Sequence, residues 1–193
     1  MIFSQYFVFY FWSLGAPFCI MAKSIHIPVM IDQVVEGLNI QPATLIIDAT
    51  LGGGGHAKAM LNASAPNGKL LGIDLDEEAV ERSKKDLSEF GDRVKIKQGN
   101  YTEIKKIAYE QQFSKVGAIL LDLGLSSDQL KSESRGFGIN TKGPLDMRFS
   151  SQMRTTAADI VNTWPENDLV TIFKEYGEER HAARVAKAIC TTR

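Results

Sequence analysis

The chain of 193 residues is poor in cysteine, has no run of like charge and contains no internal repeat. Its two cysteines, Cys19 and Cys190, exclude a disulfide framework, and neither sits at a metal-ligand spacing. With three histidines and no Cys/His cluster, no metal is expected. The formal net charge of −1 excludes a protein that grips polyanions through bulk positive charge. The first 20 residues carry no charge at all, yet they hold 8 of the 17 aromatic residues. Lacking a basic start, they do not read as a signal peptide, and Ser4, Gln5 and Pro17 weaken them as a membrane span. Upstream sequence read in frame before a start at Met21 is the expectation for this segment. No membrane partner is expected unless residues 1–20 are a real anchor, and the expected location is the cytoplasm. The remainder, at 44% hydrophobic and 23% charged for the whole chain, has the balance of a globular protein.

The richest stretch is Leu45 to His56, LIIDATLGGGGH, an apolar run broken by Asp48 that ends in four glycines. Such a run reads as a buried parallel strand, and glycines between a strand and a helix let a ligand approach the backbone. Ala57 to Ala63 has helical composition, so the loop opens onto a helix N-terminus with free N–H groups. Lys69 to Asp74 reads as a second strand ending on an acid, 22 residues after Gly52. Glu77 to Leu87 follows as a polar amphipathic helix, and Val94 to Gln98 as a third strand leading into Gly99-Asn100-Tyr101. Val116 to Leu121 reads as a fourth strand, again ending on an acid, Asp122. Strands alternating with helices predict an α/β fold with a parallel, doubly wound sheet, whose ligand belongs at the carboxyl ends of the strands. Asp48, the glycine loop, His56, Asp74, Tyr101 and Asp122 all fall there.

Two cofactors fit that pattern. Gly52-x-Gly54-x-x-Ala57 satisfies the dinucleotide fingerprint, with Asp74 near the expected offset of about 20 residues for an acid on a ribose. Asp48 inside the first strand and Asp122 after the fourth are not asked for by hydride-transfer folds. Both suit S-adenosylmethionine, which is the favoured cofactor, with NAD as the rival.

Longer strings carry a family resemblance. His26-Ile-Pro-Val-Met30, Asp48-Ala-Thr-Leu-Gly-Gly-Gly-Gly-His56, Gly72-Ile-Asp-Leu-Asp76, Leu120 to Ser127 with Gln129, Arg135-Gly-Phe137, Gly143 to Arg148, Val161 to Trp164 and Tyr176 to Arg180 follow in order. Together, over Ser24 to Arg193, they resemble the RsmH (MraW) family of class I (Rossmann-like) methyltransferases. That family transfers a methyl group from S-adenosyl-L-methionine to the N4 amine of a cytidine in bacterial 16S ribosomal RNA. The resemblance implies that Gly54, Gly55, His56, Asp74, Tyr101, Asp122 and Gln129 contact the cofactor. Asp122, beside the methionine part of the cofactor or the target amine, is the candidate catalytic residue. Tyr101 stands where the family commonly has phenylalanine. From the residues themselves, Tyr101 fits a core position as well as a ligand contact, and His56 fits a ligand contact as well as a helix start. The family's usual acids are replaced by Lys142 and Ser150. Many amino-methyltransferases follow strand four with two prolines and an aromatic residue, but here Asp122-Leu-Gly-Leu stands instead, so the base must be held otherwise.

The expected organisation is a hydrophobic extension over 1–23, the cofactor-binding α/β part over 24–129, and part of a helical substrate-binding insert over 130–193. Thr155 to Asn162, Glu166 to Tyr176 and Glu178 to Arg193 read as its helices. Residues 130–193 hold 10 Lys+Arg against 8 Asp+Glu, whereas residues 1–129 hold 12 against 15. The sign suits RNA, and Arg135, Lys142, Arg148 and Arg154 are the candidate phosphate contacts. Partners implied are small-subunit ribosomal RNA or the 30S subunit, and a homodimer stays open. Only four strands are read, fewer than the family's sheet, so strand four is expected to present an apolar edge. The resulting expectation is a truncated, incomplete sheet, poorly stable and inactive alone. A non-catalytic fragment that binds only S-adenosylmethionine or RNA is the alternative.

Overall fold

The computed structural model describes residues 30–193. The readings placed on residues 1–29, including the aromatic extension, Met21 and His26, lie outside the described residues.

Four parallel strands form the sheet: β1 (Leu45–Asp48), β2 (Lys69–Asp74), β3 (Val94–Gln98) and β4 (Ala118–Leu120), in the order β3-β2-β1-β4. The helices between them are α2 (Gly55–Ala63), α3 (Glu77–Asp86) and α4 (Ile104–Glu110), with α1 (Ile31–Gly37) ahead of β1. This is the doubly wound α/β arrangement predicted from the alternation of strands and helices, and it explains why β1 and β2 read as continuous apolar runs. Side chains alternate across a strand, and here both faces are covered. Ile46 and Leu70 pack on one face with Ala57, Met60 and Leu61 of α2 and with Leu87. Ile47, Leu71 and Ile73 pack on the other with Ile107 and Ala108 of α4 and with Phe113. Full burial of a leucine, isoleucine or methionine stabilises by about 1.5–3 kcal/mol each, so β1 and β2 are the anchor of the domain.

β4 is shorter than the strand read from the sequence. Gly117 still donates to the Leu45 carbonyl at 2.8 Å, but β4 pairs with β1 alone among the described residues. Ile119 and Leu121 stay half exposed along it.

After β4 come α5 (Ser127–Lys131), a loop over residues 132–156, and α6 (Ala157–Thr163), α7 (Glu166–Glu175) and α8 (Ala182–Thr192). Thr156 starts α6 with a capping box to Asp159, and Pro165 precedes α7 as its N-cap. The last helix begins four residues later than the pattern suggested. Glu178 takes a left-handed backbone (φ +50°) and Glu179 donates back to the Phe173 carbonyl, so this stretch closes α7 before α8 can start. Among the described residues no helix is long and apolar enough to cross a membrane.

Candidate functional site

The carboxyl ends of the four strands open into a cleft of about 880 Å³, a size ordinary for a small-molecule site. The glycine loop forms its floor. Gly52 (φ +51°) and Gly54 (φ +74°) both take left-handed backbone, and Gly54 is the N-cap of α2. A Cβ at Gly54 would stand 3.3 Å from both Ser83 Oγ and Leu87 Cδ1, so the loop is pressed against α3 from behind. Ser83 Oγ donates to the Gly52 carbonyl at 2.9 Å and pins that turn. The glycines therefore do two jobs at once: they turn the chain and let it lie flat between helix and cleft.

Asp74 ends β2 directly beside that loop. Its Oδ2 accepts from the Gly52 N–H at 2.7 Å, and its Oδ1 from the Asp76 N–H at 2.8 Å. An ionised carboxylate offers about four acceptor positions, so two remain for a ligand. Burial raises the Asp74 pKa above the ordinary carboxylate range, partly offset by those two backbone donors. Asp48 lies deeper, at 1% exposure. Its Oδ1 accepts from the Thr50 N–H, yet burial pushes its pKa up to about 7, with smaller contributions from Asp74 and Asp122. Asp122 stands at the mouth after β4, where its own N–H donates to Thr50 Oγ1 at 2.7 Å and its side chain is 67% exposed.

His56 serves both readings left open by the sequence. It sits in the first turn of α2, and its ring lines the cleft with Nδ1 3.8 Å from Asp122 Oδ2. Tyr101 is not a core residue: it starts a short 3-10 turn (Tyr101–Glu103) and lines the cleft at 45% exposure. Gln129 lines the wall with its amide already engaged, Oε1 accepting from Ser126 N–H at 3.0 Å and Nε2 donating to Asp76 Oδ2 at 2.8 Å. Gly55 is present too, as the first residue of α2. The structure thus brings Gly55, His56, Asp74, Tyr101, Asp122 and Gln129 to one cleft, with Gly54 at the base of its loop.

The four candidate phosphate contacts divide. Arg135 is nearly enclosed: Nη1 donates to Asp76 Oδ1 at 3.2 Å, and Nη2 to the carbonyls of Arg148 and Phe149. Arg148 pairs in a fork with Asp146, at 2.8 and 2.7 Å, and donates to the Met153 carbonyl. Both guanidiniums hold the 132–156 loop together. Lys142 and Arg154 of the same loop are exposed.

Four contributors went unread. Asp76 caps α3 by accepting from the Glu78 N–H and also takes Gln129 and Arg135; an acid opening a helix was the available signal. Gln33 and Val34 of α1 line the cleft, as does Phe149. Nothing local in the sequence marks Phe149, which arrives only through the fold of its loop.

Among the described residues that line the cleft, Asp74 and Asp122 are acids, His56 is a basic side chain, and neither a lysine nor an arginine is present. The charge of these two carboxylates favours a cationic ligand. A dinucleotide's pyrophosphate would meet these carboxylates, with no lysine or arginine among the described lining residues.

Comparison with known proteins shows the family. Residues 23–193 match the model of the MraW methylase family. The chain is 46% identical over 164 residues to a ribosomal RNA small subunit methyltransferase H of Syntrophotalea carbinolica, covering 85% of this chain and 52% of that protein. It is 45% identical over 171 residues to a protein of the same name from Thermobifida fusca, covering 87% and 52%. The chain thus spans about half the length of these curated relatives. Among solved structures it is similar to an RNA methyltransferase from Salinibacter ruber in complex with S-adenosyl-L-homocysteine. There the identity is 18% and the TM-score 0.35, over 42% of this chain and 66% of that one. A protein-L-isoaspartate O-methyltransferase shows 16% identity and a TM-score of 0.41, over 49% of this chain and 29% of that one.

Proposed function

We propose, since the chain belongs to the MraW methylase family, that it is the S-adenosylmethionine-binding part of an enzyme that methylates N4 of a cytidine in small-subunit ribosomal RNA. The observation that carries this reading is the cleft at the strand ends, whose described lining includes Asp74 and Asp122 and neither lysine nor arginine. The residues fit the cofactor: Asp74 would take the ribose hydroxyls, Tyr101 the adenine, and the Gly52–Gly55 backbone the rest of the nucleoside. Asp48 and Asp122 would face its cationic end. When bound, S-adenosylmethionine supplies a methyl group made electrophilic by its sulfonium.

The chain's own residues then have to prepare the amine. The exocyclic nitrogen of cytosine is a weak nucleophile because its lone pair is delocalised into the ring. Asp122 Oδ accepts a hydrogen bond from that N–H, which favours a lone pair localised on nitrogen, and His56 beside it keeps the carboxylate oriented. Holding the amine within about 3–3.5 Å of the reacting carbon supplies much of the acceleration. The target base must be unpaired or turned out of its stack to enter the cleft. Lys142 and Arg154 then meet the flanking phosphates.

Mass spectrometry of nucleosides tests this in the source organism. Disrupting the gene removes N4-methylcytidine from small-subunit ribosomal RNA, and an intact copy restores it. Undiminished N4-methylcytidine after disruption would overturn the reading.

A further inference from the structure

The cofactor residues leave one part of the cleft lining unused. Phe149, in the loop before α6, lines the cleft while 36% exposed. The ring is held from behind by Phe137, with centroids 5.3 Å apart and planes tilted by 53°. Its backbone is fixed as well, since the Phe149 carbonyl accepts from Arg135 Nη2 at 3.0 Å and the Arg148 carbonyl from the same nitrogen at 2.9 Å. Arg135 is anchored in turn on buried Asp76. A large apolar ring that is buttressed yet partly open to the cleft is suited to stacking on a flat ligand. The loop that carries it also carries exposed Lys142 and Arg154. Strand β4, by contrast, is followed by Asp122-Leu-Gly-Leu, which offers no ring of its own.

We propose that Phe149 is a nucleobase platform: the target base, turned out of its RNA stack, lies against this ring while its amine reaches the cleft that Asp122 also lines. This rests on the RNA-methylating reading above and names how the base is held. Phe137 acts as a buttress, and Arg135 as a positioning residue that sets the loop carrying Phe149.

The probe is a short single-stranded RNA with pyrrolocytidine, a fluorescent cytidine analogue, at one position. Stacking on an aromatic ring quenches it. The wild-type chain is expected to quench the probe, and Phe149→Trp to retain that response. Phe149→Leu, which keeps an apolar side chain of similar size, is expected to bind the oligonucleotide roughly ten- to a hundredfold more weakly, the usual effect of losing one base–aromatic stack. Its affinity for S-adenosylhomocysteine, titrated separately, stays within about twofold of wild type, because the ring is assigned to the base and not to the cofactor. Equal oligonucleotide binding by Phe149→Leu and wild type, or no quenching by wild type, overturns the proposal. A parallel loss of S-adenosylhomocysteine affinity in Phe149→Leu also overturns it, by assigning the ring to the cofactor. Failure of the wild type to bind S-adenosylhomocysteine sinks the cofactor reading instead, and the oligonucleotide arm, run with no cofactor present, still decides the role of Phe149.

Discussion

Asp74→Ala weakens the binding of S-adenosylhomocysteine at least about a hundredfold. Hydrogen bonds to a charged group contribute about 1.5–3 kcal/mol each, and the two acceptor positions that Asp74 keeps open would receive two ribose hydroxyls. Losing both costs about 3–6 kcal/mol, or two to four powers of ten in affinity. The same carboxylate fixes the Gly52 N–H at 2.7 Å, so its removal also loosens the glycine loop. Asp74→Asn separates the two effects, because an amide oxygen still receives the Gly52 N–H while the charge is gone. Calorimetric titration should rank wild type, then Asn, then Ala. Burial raises the Asp74 pKa, so wild-type affinity also falls as acid protonates this group. Binding by Asp74→Ala within about fivefold of wild type, against the hundredfold expected from the lost hydrogen bonds, contradicts the assignment.

Asp76→Ala destabilises the fold by about 3–5 kcal/mol, the range for breaking a buried charged pair and leaving one partner behind. Three donors converge on this carboxylate: the Glu78 N–H, Gln129 Nε2 and Arg135 Nη1. The Asp76 and Arg135 side chains are only 5% and 15% exposed, so water replaces little of what is lost. The N-cap alone accounts for about 1 kcal/mol, and the lost bonds from Arg135 and Gln129 for most of the remainder. Burial by itself would raise the Asp76 pKa, but the hydrogen bonds from Gln129 and Arg135, together with the Arg135 charge, hold it below the ordinary range. A depressed pKa in the folded state means that the stabilisation is complete above the ordinary carboxylate pKa. It is lost as the pH falls through the lower folded value. Urea denaturation should therefore show a large gap between wild type and Asp76→Ala at neutral pH that narrows in acid. Removing Arg135 as well should add less than the sum of the single losses. A gap under about 1 kcal/mol, well below the buried-pair range, or one that is constant with pH, contradicts this account.

The strand-end site was legible because its signals are local. Glycines after β1, and acids at the ends of β1, β2 and after β4, each follow a short apolar run that reads as a strand, and the sheet order then brings them together. Asp76 was visible as a residue of the same motif, but its partner Arg135 lies 59 positions away, and nothing at that range is encoded in spacing. The same limit governs the arginines. Charge and position marked four basic residues, but not that two of them, Arg135 and Arg148, also bond the loop's own carbonyls. Helix α4 was readable yet passed over, since Ile104, Ile107 and Ala108 follow the i, i+3, i+4 pattern of a packed face. The start of α8 was not readable, because Glu178 at φ +50° has no propensity that announces it. Phe149 illustrates the last case, a residue of ordinary sequence context that the loop fold carries to the cleft.

The most direct test of the central claim is a pair of titrations of the purified chain, one with S-adenosylhomocysteine and one with NAD. A cleft whose described lining has Asp74 and Asp122 but no lysine or arginine predicts one-to-one binding of S-adenosylhomocysteine and no heat from NAD. Heat from NAD alone would contradict the account, since it would require a pyrophosphate to settle among Asp48, Asp74 and Asp122.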